Sequence, residues 1–166
     1  MRTKTSTMVI LTIALILGSA VTISSNTSMV FADHEFAANL TGQQEVPPVD
    51  TQATGEVIFV PELPLNKTID FYANATGLQG ATQGHIHSGV EGENGPVVVT
   101  LFKFDSPQNN VTDQEGSITA NNLEGPMQGK TIPDLVAVMK NGSAYANFHT
   151  DQNPDGEIRG QIRSTE

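Results

Sequence analysis

The 166-residue chain contains no cysteine and no tryptophan, and only eight lysines and arginines against 18 aspartates and glutamates. Without cysteine no disulfide can form, so the fold rests on its apolar core. Any metal site must use imidazole, carboxylate or carbonyl ligands rather than thiolate. The net charge of −10 repels nucleic acid and anionic lipid and favours cations, which argues against a nucleic-acid partner. There is no G-x-S-x-G elbow and no phosphate-cradling glycine loop leading into a helix. The glycines of SGVEGENGP, residues 88–96, run instead into the apolar stretch VVVTLF. Glu91 and Glu93 of that loop read as solvated acids, not as a catalytic pair.

What is present begins with an N-terminal address. Arg2 and Lys4 precede an apolar run from Met8 to Leu17, and small and polar residues then lead to Val30-Phe31-Ala32. This is the pattern of a secretory signal cut after Ala32. The alternative is an uncleaved membrane anchor, for which the run is short against the ~20 residues of a bilayer span. Residues 1–32 carry two basic and no acidic residues. The remainder, 33–166, therefore holds six basic against 18 acidic residues, a net −12, in one domain's length. Five Asn-x-Thr/Ser sequons follow the cut, at Asn39, Asn66, Asn74, Asn110 and Asn141, as expected of a secreted or cell-surface glycoprotein.

Past the cut the chain reads as short strands and tight turns. Candidate strands are Glu35–Leu40, Thr54–Val60 (closed by Pro61 and Pro64), Lys67–Ala75, Thr82–His87, Val97–Phe104, Gly116–Ala120, Ser143–Thr150 and Glu157–Arg163. Lys67–Ala75 alternates cleanly, with Ile69, Phe71 and Ala73 on one face. Asp105–Asp113 and Asn121–Lys130 read as polar surface loops. Thr131–Asn141 is the one convincing helix, with Pro133 in its first turn, Leu135, Val136 and Met139 at helical spacing, and Gly142 as a stop. The expected fold is all-β: an antiparallel Greek-key β-sandwich, immunoglobulin-like or superoxide-dismutase-like, with one short helix.

Three segments, GQQEVPPVDTQATGEVIF, LQGATQGHIHSGVEGENGPVVVTLF and GSAYANFHTDQNPDGEIRGQI, resemble the chordin (CHRD) domain family from about Glu35 to Ile162. The resemblance implies a β-sandwich. It implies little chemistry, because in animals the domain occurs within an extracellular growth-factor antagonist. Free-standing microbial versions have no settled activity. A non-enzymatic binding module is the first expectation. The second is a structural or adhesive surface domain whose partner is another extracellular protein or a glycan. A membrane partner enters only if the N-terminal segment stays uncleaved.

The chemistry-bearing residues are histidines. In GHIHSG, His85 and His87 flank one isoleucine, so on a strand they share a face, roughly 6.6 Å apart. His149 ends the strand GSAYANFHT. If the two strands are neighbours, His85, His87 and His149 form a three-imidazole set suited to copper or zinc. The competing reading has them hydrogen-bonded to loop carbonyls or to Glu91, Glu93, Asp151 or Glu157. His-x-His on a strand followed by a later histidine is also similar to the copper half of copper/zinc superoxide dismutase. That protein needs a bridging histidine, further zinc ligands and a disulfide, and this chain has no histidine in the loop after His87 and no cysteine. A dismutase reading therefore rests on fold analogy. Asp33 and His34 would give a cleaved N-terminus a copper-chelating set, or a floppy end. Asp151, Asn153, Asp155 and Gly156 imitate the start of a calcium loop, but its twelfth position, Ile162, is not a carboxylate, and a hairpin turn is expected instead. Arg159 reads as an internal tie to Glu157 or Glu45 in preference to a substrate anchor.

Overall fold

The computed structural model describes residues 35–62 and 67–165. The expected signal segment, the cut after Ala32, Asp33, His34, Pro64 and the Asn66 sequon lie outside them. Nine strands form: β1 (Phe36–Thr41), β2 (Thr54–Pro61), β3 (Thr68–Thr76), β4 (Ala81–Ser88), β5 (Val97–Gln108), β6 (Val111–Thr119), β7 (Ala144–Thr150), β8 (Ile158–Gln161) and the two-residue β9 (Arg163–Ser164). All pair antiparallel. Their order is β5-β4-β7-β8-β1-β2-β3-β6, with β9 on the free side of β1. The two end strands, β5 and β6, are consecutive in the chain and joined by a tight turn, so the sheet doubles over on one core.

The chain crosses between the halves three times along β3–β7, from β3 to β4, through the β5–β6 turn and from β6 to β7. That is the Greek-key arrangement that the strand pattern implies. The β1–β8 junction is thin: one paired position, Thr41 with Arg159, joins those two strands, and β9 adds Phe36 with Ser164 and Ala37 with Arg163 on the same side of β1. Helix α1 (Ile132–Lys140) lies in the β6–β7 crossover. Thr131 caps it in a reciprocal box with Asp134, Pro133 sits in its first turn, and Ile132, Leu135, Val136 and Met139 turn inward. Among the described residues no helix is long and apolar enough to cross a membrane.

One sequence expectation is corrected. Residues 105–113 are not a surface loop: β5 runs on to Gln108 and β6 begins at Val111, with Asn110 in the left-handed region at φ 65°. Residues 105–109, 112 and 113 are exposed and only Val111 turns into the core, so the apolar alternation that marks a half-buried strand is missing.

The core is filled from both halves, by Phe36, Leu40, Val57, Phe59 and Ile69 on one side and Ile86, Val99, Phe148 and Ile158 on the other. Strand β7 is buried along its whole length, AYANFHT. Its inward residues Ala146 and Phe148 face Ile86 and Gly84 of β4. Gly84 explains the glycine that opens GHIHSG. The rings of Phe102 and Phe148 meet edge-on, 5.1 Å between centroids, directly over it, and a Cβ at 84 would lie 2.5 Å from Phe102 and 2.8 Å from Phe148. Such overpacking is costly. Gly84→Ala is therefore expected to lower stability by ~1–3 kcal/mol, read from the urea midpoint; an unchanged midpoint would show that the two rings do not need that space.

Candidate metal centre

The outward side of β7 carries Tyr145, Asn147 and His149, one on every second residue. In register beside them are His87, His85 and Gln83 of β4 and, on the other flank, Gln161 and Arg159 of β8. A polar layer thus lies outside the apolar core, and most of it is closed to water, with Gln83 and His87 half-buried. His85, Asn147, His149, Arg159 and Gln161 are all buried, under the 88–96 loop, the 45–49 turn and the 151–157 turn.

The three histidines expected from sequence do come together, with one ring nitrogen of each within 4.8 Å of the others. Their protonation follows from their partners. His149 Nδ1 lies 2.9 Å from the carbonyl oxygen of Pro154, and His87 Nδ1 lies 2.9 Å from that of Gly95. A carbonyl only accepts, so both Nδ1 atoms carry the hydrogen and both Nε2 atoms hold a bare lone pair. His85 Nδ1 is 2.9 Å from His149 Nε2 and must donate to it. His87 Nε2 is buried with no partner, an arrangement that costs about 1–3 kcal/mol when left unanswered.

Burial holds all three rings neutral. It pushes His85 down to about 3, helped by the neighbouring His149, His87 and Lys103. His87 and His149 are also lowered by burial, against the opposing pull of the carbonyls of Gly95 and Pro154. A neutral imidazole with its far nitrogen fixed by a carbonyl is the form that ligates a metal, and the carbonyl sets ring orientation. An ion about 2.0–2.1 Å from each nitrogen allows at most about 4.2 Å between any two of them, so the longest edge would close by about half an ångström.

None of the carboxylates weighed as histidine partners holds one. Glu157 accepts from Thr51, Thr150 and Asn153. Glu91 pairs with Arg163 at the surface. Segment 151–156 folds as the β7–β8 turn, with Asn153 donating to Glu157 and its own amide bonded to the Thr150 hydroxyl. Arg159 is an internal tie, but not to Glu157 or Glu45. Its guanidinium, 1 % exposed, donates to the carbonyls of Val90 and Glu93 and to Asn94 Oδ1. It also lies 3.5 Å over the Tyr145 ring. Planar, multiply donating guanidinium suits carbonyls of an irregular loop as well as it suits carboxylates.

Tyr145 is in turn stacked on His87, 4.8 Å between centroids and 9° from parallel, and its hydroxyl accepts from Gly95 N–H. The column His87–Tyr145–Arg159 therefore fixes the loop that fixes His87. Gln161 adds bonds to the carbonyls of Gly89, Gly142 and Ala144. Tyr145 and Asn147 went unnoticed in sequence, although polar residues at every second position of YANFHT were there to be read.

The family model for the CHRD domain matches residues 36–162, nearly all of the described fold, and the chain belongs to that family. No curated protein and no solved structure matches the chain.

The pH dependence has a definite sign. Unfolded imidazoles take up protons below about 6.5, whereas buried His85 resists down to about 3. Metal-free stability should thus be fully present above 6.5 and fall as pH drops toward 3. Glu45 acts oppositely: burial raises it from 4.5 to about 7, so its contribution is lost as pH rises through that range. In urea denaturation at stepped pH, His85→Gln should flatten the acid-side fall relative to the parent chain; parallel curves would mean that His85 is charged in the fold.

Proposed function

We propose that this is an exported, non-enzymatic binding module that holds one copper or zinc ion through His85, His87 and His149. The observation that carries the reading is the convergence of three neutral imidazoles whose tautomers are preset by the carbonyls of Gly95 and Pro154 or by each other. One of the lone pairs is buried and unpaired. Imidazole sets of this kind suit copper, zinc and their neighbours in the first transition row. The apolar alternative, an adhesive face, has less behind it: among the described residues the exposed large hydrophobics are Tyr72 on β3 and Val90 in the 88–96 loop, and two isolated residues do not make a patch. Export rests on the N-terminal sequence and on the extracellular setting of the family.

Calorimetric titration of the full chain with Cu(II) and Zn(II) tests this. One ion per chain is expected, with affinity reduced at least a hundredfold in both His85→Ala and His149→Ala, in line with the loss of one of three ligands. Equal affinity in the parent and both variants would assign the binding elsewhere.

A further inference from the structure

Resting on that reading, we propose that the cleft between the 45–49 and 152–156 turns is the route by which the cation reaches the histidines, with Glu45 as its inner carboxylate. The cleft, of about 270 Å3, is walled by Val46, Pro47, Pro48, Val49 and Pro154 and by the amides of Asn94, Gln152 and Asn153. Its titratable residues are Glu45 and Asp155, both acids. No lysine or arginine lines it, in a part of the molecule where Arg159 and Lys103 otherwise bring positive charge near the imidazoles.

The floor of the cleft touches the histidine layer at two points. Pro154 presents its side chain to the cleft and its carbonyl oxygen to His149 Nδ1. Glu45 is nine-tenths buried, and its Oε1 accepts from Asn147 Nδ2 at 2.6 Å. Asn147 stands directly opposite His85 and two residues from His149 on the same face of β7, and its Oδ1 is buried without a partner. That leaves an oxygen donor free between the carboxylate and the imidazoles.

Gly156 lets the turn pack directly against the Glu45–Asn147 pair. It lies in the cleft wall at φ 134°, where a side chain is strained, and a Cβ there would collide with Asn147 Nδ2 and come within 2.7 Å of Glu45 Oε1. A cation therefore meets a graded series of ligands: Asp155 at the rim, Glu45 at the floor, the Asn147 oxygen, then the lone pairs of the histidines. Carboxylates lining a low-dielectric cleft raise local cation concentration and speed capture by 10–10³-fold.

The test is the rate of uptake. Tryptophan is absent and the chain has two tyrosines. In a Tyr72→Phe background, quenching of Tyr145 fluorescence, stacked on His87, reports copper arrival in stopped-flow mixing of the full metal-free chain with Cu(II). Glu45→Gln and, at an exposed position that leaves the fold alone, Gln152→Arg should each slow the quench at least tenfold. Glu115→Gln, an exposed acid on β6 in the other half of the sheet, should leave it within twofold. Quenching that disappears in His85→Ala but keeps the parent rate in both Glu45→Gln and Gln152→Arg overturns the route while leaving the metal centre standing. A parent chain that takes up no copper removes both. Equal slowing in Glu115→Gln would trace the effect to overall charge and overturn the route as well.

Discussion

Burial of β7 on both faces is the constraint from which the rest follows. One face, Ala146 and Phe148, belongs to the apolar core; the other carries Tyr145, Asn147 and His149. A strand with polar side chains on a dry surface is stable only if each polar atom finds a partner. The three loops over β4, β7 and β8 meet that demand with main-chain carbonyls: Gly95 and Pro154 for histidines, Val90 and Glu93 for Arg159, Gly89 for Gln161. Loops without regular structure carry unpaired carbonyls in abundance, so polar layer and cover satisfy each other. Three acceptor atoms remain unanswered, on His87, Asn147 and Gln161, and two of these lie on the β4–β7 face that bears the imidazoles.

Much of the fold was legible because the alternation is strong wherever a strand has one wet and one dry face. The helix was legible too, since Thr131, Pro133, Asp134 and Gly142 each act locally. The β5–β6 hairpin was not, because residues 105–109, 112 and 113 are exposed with Val111 alone buried, and composition there reports solvent, not strand. The histidines were legible as a set: His-x-His fixes a shared face, and His149 ends a strand of similar grammar. Their partners were harder to foresee. Carbonyls belong to every residue and leave no mark in sequence, which is why Arg159 seemed to call for a carboxylate and found Val90, Glu93 and Asn94 instead.

Neutrality of the three imidazoles follows from the same dryness. In water such residues are part-protonated and compete poorly for a metal at mildly acid pH. Here desolvation disfavours the competing proton within the fold, and the nearby cations Lys103 and Arg159 push in the same direction. Those cations also oppose a divalent ion, so the nearby acids, Glu45 among them, bear on the charge of the loaded layer as much as on its geometry.

Arg159 occupies two positions at once. Its backbone supplies the one paired residue at the β1–β8 junction, while its side chain pins the 88–96 loop. Beside it, Gly160 lies so close to the main chain of Asn39 that a Cβ would strike the Asn39 carbonyl. The seam where the doubled sheet closes and the roof over the imidazoles are therefore fastened by the same residue. Opening of the seam and lifting of the roof both disturb Arg159, so the ring nitrogens beneath share the protection of the join between the two halves.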